Sequence, residues 1–585
     1  MKPHTHDSLI AEIRRRAAFH KAQSRLVVDY YRIRRKRAFP IPTRELPDSE
    51  MEIPGIPKYP WAIWFFWDAE ERWNSLFWVA RHDGDTEAEA LYWKEIEALA
   101  EWPIYRQFNE PDLSSGHAAR NLWNALHRDG LPDGLDQSIQ DAFRRILEEG
   151  LPRSDTLHEA YQSPDQILQE ERPESLLRNI PWIGTVGLAL AAHGCQHPAA
   201  EKLDRRLALL LEAYLDYRGY GHAEGTAYDG YVLDFVLQWL EELPRDRVHA
   251  FLRHERFEDA LEQTLFLPAP GDLGRISEIG DNEPLQMPFH LTAQARLLAF
   301  RHDPRALWLL RRVPLTYLRT DAIAALLDVD PDAGEAPPEA GFQDAHYALG
   351  LRTGYTPEDL AVVASFSRSR MPHLPPDAGT LEIGTAGRWI IADPGYQQYI
   401  PNSEREFTLG VAAHNAPVLN GQAPAAVLSR RNFSFSHEDA LLRLDLDLTS
   451  AYPEWDGIAE IQRTIWLFQN RRIVVADSLP AEAVETVQYF WNAHPDCAWW
   501  GDSAGICLHL PEATLWIQSP QTLLREQDIV RTRGSRGHLT LASERTLDLP
   551  VIWWVFSLGE EPAALDLQDE DRRLLIDEEE YPLNP

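Results

Sequence analysis

The chain has 585 residues, 44% of them hydrophobic and 25% charged, with a formal net charge of −34. That length allows two or more domains, the composition is that of a globular protein, and the acidic balance excludes a nucleic-acid binder working through a basic footprint. The apolar run WAIWFFW (residues 61–67) is too short to span a bilayer, and Cys195, Cys497 and Cys507 are too few and scattered for a disulfide framework or a metal knuckle.

Taken in chain order, the N-terminus MKPHTHDSLIAEIRRRAAFHKAQ has no apolar core ahead of a cleavage site. No signal peptide is expected, which favours the cytoplasm, or the periplasm or exterior if a leader was trimmed. The basic cluster YRIRRKRAFP (residues 31–40) reads as a solvated helix face rather than a binding patch. Helical period dominates the first 330 residues. LDRRLALLLEAYLDY sets Leu203, Leu207, Leu210, Leu211, Tyr214 and Leu215 on one broad face, and EAEALYWKEIEALAEW, LDQSIQDAFRRILEEGL, YVLDFVLQWLEEL and LTAQARLLAFRH keep the same spacing. Short breaks rich in Pro, Gly and Asp separate them, and no fixed-period repeat is present, so the pattern predicts stacked helical hairpins, as a solenoid or a closed α/α toroid.

After the Pro/Gly/acid-rich linker DPDAGEAPPEAGFQD (residues 330–344) the period changes to two. LLRLDLDLTS alternates Leu442, Leu444, Leu446 and Leu448 with polar residues, the mark of a half-buried antiparallel strand. QRTIWLF, RRIVVADSL, TLWIQS, GHLTLAS and VIWWVFSL follow with turns between, which predicts a β-sandwich. The expected organisation is an N-terminal helical arm (1–50), a domain of helical hairpins (51–345) and an antiparallel β-sandwich (346–585).

The stretch HLPPDAGTLEIGTAGRWIIADPG (residues 373–395) carries the functional question. Two prolines stiffen an extended entry and fix where His373 points. Asp377-Ala378-Gly379 can turn the chain into the strand TLEI, and GRWII is its hairpin partner, closed by Asp393-Pro394-Gly395. On the residues alone, His373 is either a structural histidine or one held for chemistry.

HLPPDAGTLEI, followed by GRWIIADPGYQQY and AAHNAPVLNGQ, resembles the signature of the heparinase II/III-like polysaccharide lyases. RNIPWIGTVGLALAA and YGHAEGTAYDGYVLDF sit where that family's toroid motifs sit, and IQRTIWLFQNRRIVVADSL and WNAHP match its sandwich. The resemblance implies an N-terminal α/α toroid, an incomplete barrel of helical hairpins, followed by a C-terminal antiparallel β-sandwich. It also implies β-elimination on uronate-containing glycans: glycosaminoglycans of the heparan, chondroitin or hyaluronan type first, alginate next. Such a reaction removes the C5 proton, stabilises the enolate at the uronate carboxylate and protonates O4 of the leaving sugar.

By that resemblance His373 is the catalytic histidine, Tyr228 in EGTAY the tyrosine, with Tyr231 the alternative one turn on, and Asn179 in RNIPW the asparagine that binds the carboxylate. Read without the family, Tyr228 and Tyr231 are equally helix packing, and Asn179 is an N-cap or turn residue. Glu224, Arg275, Arg405, Asn415, Tyr399 and His117 are further candidates for the cleft wall, the arginines being suited to carboxylate or sulfate. Some family members hold a structural metal through a second histidine two positions after the first, an aspartate and a later histidine. Asp393 and His414 match the last two, but Pro375 stands at the first and proline cannot ligate. No cofactor is therefore required, and a divalent ion (zinc, manganese or calcium) near Asp393 and His414 needs another ligand. The expected partner is an anionic polysaccharide or oligosaccharide, with no nucleic acid and no membrane; a homo-oligomer is left open. Two other readings stand: a glycoside hydrolase using carboxylates such as Glu224, Asp229 and Asp281, and a carbohydrate-binding protein without activity.

Overall fold

The computed structural model describes the chain except for residues 1, 31–34, 48–60, 107–111, 159–160, 218–225, 254–263, 281–288, 369–376, 396–402, 439, 458, 469–471, 502–503, 522–524, 533–535, 547–549, 560, 569–572, 578 and 583–585. In the N-terminal half, six of the described helices close a ring: Trp61–His82, Leu113–Leu126, Asn179–Gly194, Thr226–Leu240, Phe289–Arg301 and Thr320–Ala325. Each packs on the next, and the last returns to the first. Thr86–Ala100, Leu135–His158 and Ala200–Tyr217 connect ring members and pack against them.

Composition separates the two kinds of helix. Asn179–Gly194 buries every residue from Pro181 to Ala192, as a helix enclosed on all sides must. Ala200–Tyr217 is amphipathic and buries the face read from its period, Leu203, Leu207, Leu210, Leu211, Tyr214 and Leu215. Glycine brings ring helices together: a Cβ on Gly187 would lie 2.5 Å from the Cα of Gly116 on the neighbouring helix. The segment expected as an arm also joins this core, since helix His6–Lys21 packs on Trp61–His82 and buries Leu9, Ile13 and Ala17.

The basic cluster departs from its helical reading. Arg35–Pro40 is a strand paired with Arg25–Tyr30, with Leu26 opposite Phe39. Leu26, Val28 and Phe39 are buried while Val27 is 48% exposed. That alternation is a strand period, and it outweighs the charge pattern on which a helix face was inferred.

In the C-terminal half two antiparallel sheets pack face to face. One has nine strands, running from Arg525–Thr532 through Arg536–Thr546, Thr486–Ala493, Arg388–Ile391, Leu381–Thr385, Ala361–Ser365 and Ala348–Arg352 to Gly341–Asp344, with Val418–Leu419 beside Thr486–Ala493. The other has eight, from Phe433–Glu438 to Ala498–Gly501. Leu442, Leu444 and Leu446 alternate with half-exposed residues, as their sequence predicts, and meet Ile383, Ile391 and Trp491 of the nine-stranded sheet in a shared core. Three further strands between Leu565 and Pro582 cover the outside of the eight-stranded sheet over the stacked Trp466 and Trp553.

The outer face of the nine-stranded sheet receives the helical half. Leu267, Ala269 and Ile279, which flank the hairpin Pro268–Ala269/Asp272–Ile276, pack on Tyr347, Val363 and Trp389. Gly271 (φ +93°) lies so close that a Cβ would sit 2.8 Å from the backbone nitrogen of Gly387. Gly387 N–H donates to Pro270 O, and Arg352 donates to the carbonyls of Phe266 and Pro268.

Candidate active site at the seam between ring and sheets

A network of buried charges fills the ring. Glu70 accepts from His117 Nδ1 (2.6 Å), Arg120 Nη2 (2.7 Å), Asn121 Nδ2 (2.8 Å) and Arg319 Nη2 (3.0 Å). Arg120 continues to Asp234, which also takes Arg296 Nε at 2.6 Å. Burial alone would raise the Glu70 carboxyl, but Arg120, His117 and Arg319 outweigh it and hold it well below the usual carboxylate range. Burial pulls the His117 imidazole below its usual value, against the pull of Glu70. In its neutral form, with Nδ1 donating to Glu70, its Nε2 accepts from the Tyr231 hydroxyl. Tyr231 is 2% exposed and His117 fully buried, which removes both from the cleft wall and places them in the frame. Burial also raises the Tyr231 phenol.

The turns that carry Asn179 and Tyr228 come together at Tyr214. Trp182, one turn after Asn179, has its ring 5.8 Å from that of Tyr214, and the Tyr214 hydroxyl donates to Asp229 Oδ1 at 2.6 Å. Asn179 is the first residue of its helix, after Arg178 at the N-cap, and is 4% exposed. Tyr228 is half-buried. Gly230 packs directly on the backbone of His290, so the N-terminal turn of Phe289–Arg301 reaches the same end of the ring. Helix N-termini gathered there carry positive partial charge. Asp229 is 1% exposed, its Oδ1 accepting from Tyr214.

His373, Glu224, Tyr399 and Asp281 fall outside the described residues, as does the Arg405 side chain on helix Ser403–Thr408. The description resumes at Asp377, and here the structure adds a residue that sequence reasoning used only as a turn. Asp377, Asp393 and His414 each offer a ligand atom, all within 4.8 Å of one another, and all three are buried. His414 Nδ1 meets Asp393 Oδ2 at 2.8 Å, and Ser365 Oγ donates to Asp377 Oδ1 at 2.8 Å. That leaves His414 Nε2 and Asp377 Oδ2 buried without a hydrogen-bond partner among the described residues. Burial, reinforced by Asp393, pushes the Asp377 carboxyl up to about 7 against the pull of His414. Burial would lower the His414 imidazole, but Asp393 and Asp377 raise it. Two carboxylates and an imidazole with orphaned atoms fit a divalent ion. Asp377, two positions beyond Pro375, stands where the missing ligand was sought.

Glu382 ties this cluster to the ring. It accepts from Ser277 Oγ (2.5 Å) and Glu278 N–H (3.0 Å) on the helical side, and from Asp393 N–H (2.9 Å) on the sheet side. Its signal in the sequence was an acid inside the apolar strand TLEI. Asn415 is fully buried: it donates to Leu381 O (2.8 Å) and accepts from Asn492 N–H (2.8 Å), so its amide holds strands rather than substrate. Arg275 is half-buried on the hairpin at the seam, with Nη1 3.5 Å from His494 Nε2.

The fold is shared with solved structures: the crystal structure of heparinase III superposes with a TM-score of 0.57 at 13% identity, covering 88% of this chain and 82% of that one. Heparan sulfate lyase HepC from Pedobacter heparinus gives 0.56 at 13% identity, over 99% and 94%. Residues 336–568 match the family model described as Heparinase II/III-like, C-terminal. No curated protein sequence matches the chain.

Proposed function

We propose that the protein is a polysaccharide lyase that cleaves uronate-containing glycans by β-elimination, its helical ring being the α/α toroid of that enzyme class. The observation that carries this reading is the meeting of the Asn179 and Tyr228 turns at Tyr214, in a chain whose C-terminal domain is heparinase II/III-like. Asn179 binds the uronate carboxylate, and with the helix N-termini it withdraws charge so that the C5 proton becomes acidic. Tyr228 and His373 divide the two proton transfers, one removing H5 and the other protonating O4 as the C4–O4 bond breaks. The products are a 4,5-unsaturated uronate and a sugar with a free 4-hydroxyl. The substrates are glycosaminoglycans of the heparan, chondroitin or hyaluronan type, with alginate as the next class. Asp377, Asp393 and His414 would hold a divalent ion, zinc or manganese by donor type, whose charge would offset the two carboxylates and fix the Asp393 turn.

The test is the ultraviolet absorbance of the conjugated double bond, with heparan sulfate, chondroitin sulfate, hyaluronan and alginate in turn. Wild type should generate it on one of them, and His373→Ala should lose about a hundredfold or more in rate. Reducing ends released without absorbance would mean hydrolysis and overturn the reading.

A further inference from the structure

We propose that Tyr214 is a positioning residue that holds Tyr228 in register with Asn179 for the proton transfer. It lies on the outer helix Ala200–Tyr217, not on the ring, and at 2% exposed it is out of reach of a substrate. Two arms run inward from it. Its hydroxyl donates to Asp229 Oδ1 at 2.6 Å, and Asp229 is the chain neighbour of Tyr228. Its ring meets the ring of Trp182 edge-on, at 5.8 Å and 79°, and Trp182 is one turn beyond Asn179. One buried side chain therefore grips both turns that carry the chemistry.

The hydroxyl arm matters most. Tyr228 stands in the first turn of helix Thr226–Leu240, where the backbone N–H groups have no partner within the helix and the turn needs outside support. A hydroxyl donating to a carboxylate at this distance is a strong tether, and both of its ends are buried, Asp229 at 1% exposed. The next residue, Gly230, packs on the backbone of His290, so the same turn is held from a second ring helix. A transferring side chain must stay within hydrogen-bond reach of the proton, and a displacement of about 1 Å can cost a hundredfold in rate. The role rests on the lyase reading, since it needs Tyr228 to move a proton.

The experiment is steady-state formation of the unsaturated product by wild type, Tyr214→Phe, Tyr228→Phe and the double variant, with Tm recorded for each. Tyr214→Phe keeps the ring on Trp182 and deletes only the hydroxyl. Its kcat should fall about tenfold or more while KM stays within about twofold. In the Tyr228→Phe background the same change should cost nothing further, because nothing is left to position. A purely structural tyrosine would lower both backgrounds alike. Should Tyr214→Phe fail to fold, Asp229→Asn weakens the bond from its other end and should show a smaller loss of kcat with the same dependence on Tyr228. Unchanged kcat in a folded variant, a loss that falls on KM, or equal losses in both backgrounds would overturn the role. Wild type that cleaves while Tyr214→Phe is indifferent keeps the lyase reading and loses only this role. Wild type that yields no unsaturated product removes both.

Discussion

The interior of the ring and the sheet side of the seam both bury several carboxylates, yet they treat them in opposite ways. In the ring, Glu70 and Asp234 each face more than one guanidinium, and both carboxyls are held below their ordinary range against the pull of burial. At the seam, Asp377 and Glu382 face no guanidinium among their described partners, and burial drives both upward, Glu382 with a further push from Glu278. A closed network of matched charges fixes one geometry, which is what a frame needs. A cluster short of positive charge stores an appetite for a proton or a cation, which is what a site needs.

The largest effect should come from breaking the frame. Arg120→Ala removes a partner from both Glu70 and Asp234, and it should cost about 3–5 kcal/mol in chemical denaturation, with activity lost only through unfolding. Next comes the pair of tyrosines. Tyr228→Phe should lower kcat about a hundredfold or more with stability nearly unchanged. Tyr231→Phe should do the reverse, leaving His117 Nε2 without its donor at a stability cost of about 1–3 kcal/mol. If Tyr231→Phe abolished turnover in a stable protein, the division between frame and site would be wrong.

The smallest effect concerns pH, and it has opposite signs in the two regions. Glu70 has a folded pKa below its unfolded value of about 4.3, so its contribution is present above that pH and is lost as pH falls. Asp377 is raised to about 7 from an unfolded value of about 3.9, so its contribution is present below the lower value and fades as pH rises toward 7. Melting curves of Asp377→Asn should lack that neutral-side decline. Added zinc should raise the wild-type Tm near pH 7 and leave Asp377→Asn unmoved, whereas an equal rise in both would remove Asp377 from the ligand set.

Periodicity in the sequence determined much of this architecture: helical spacing through LDRRLALLLEAYLDY, strand spacing through LLRLDLDLTS, and the change of period near residue 340, because local repeat and burial of one face are the same fact. Asn179, Tyr228, Asp393 and His414 were singled out only because the motifs around them resemble a family's, and on the residues alone they read equally as packing or turn positions. Partnership was not legible. Nothing in the sequence joins Glu70 to Arg319 or Ser277 to Glu382, and His117 and Tyr231 look like site residues until the ring closes over them. Asp377 read as a turn because its two partners lie 16 and 37 residues further along the chain, in Asp393 and His414. Only the tertiary structure could decide these, because the state of a buried polar group is set by what surrounds it in space and not by its neighbours in sequence.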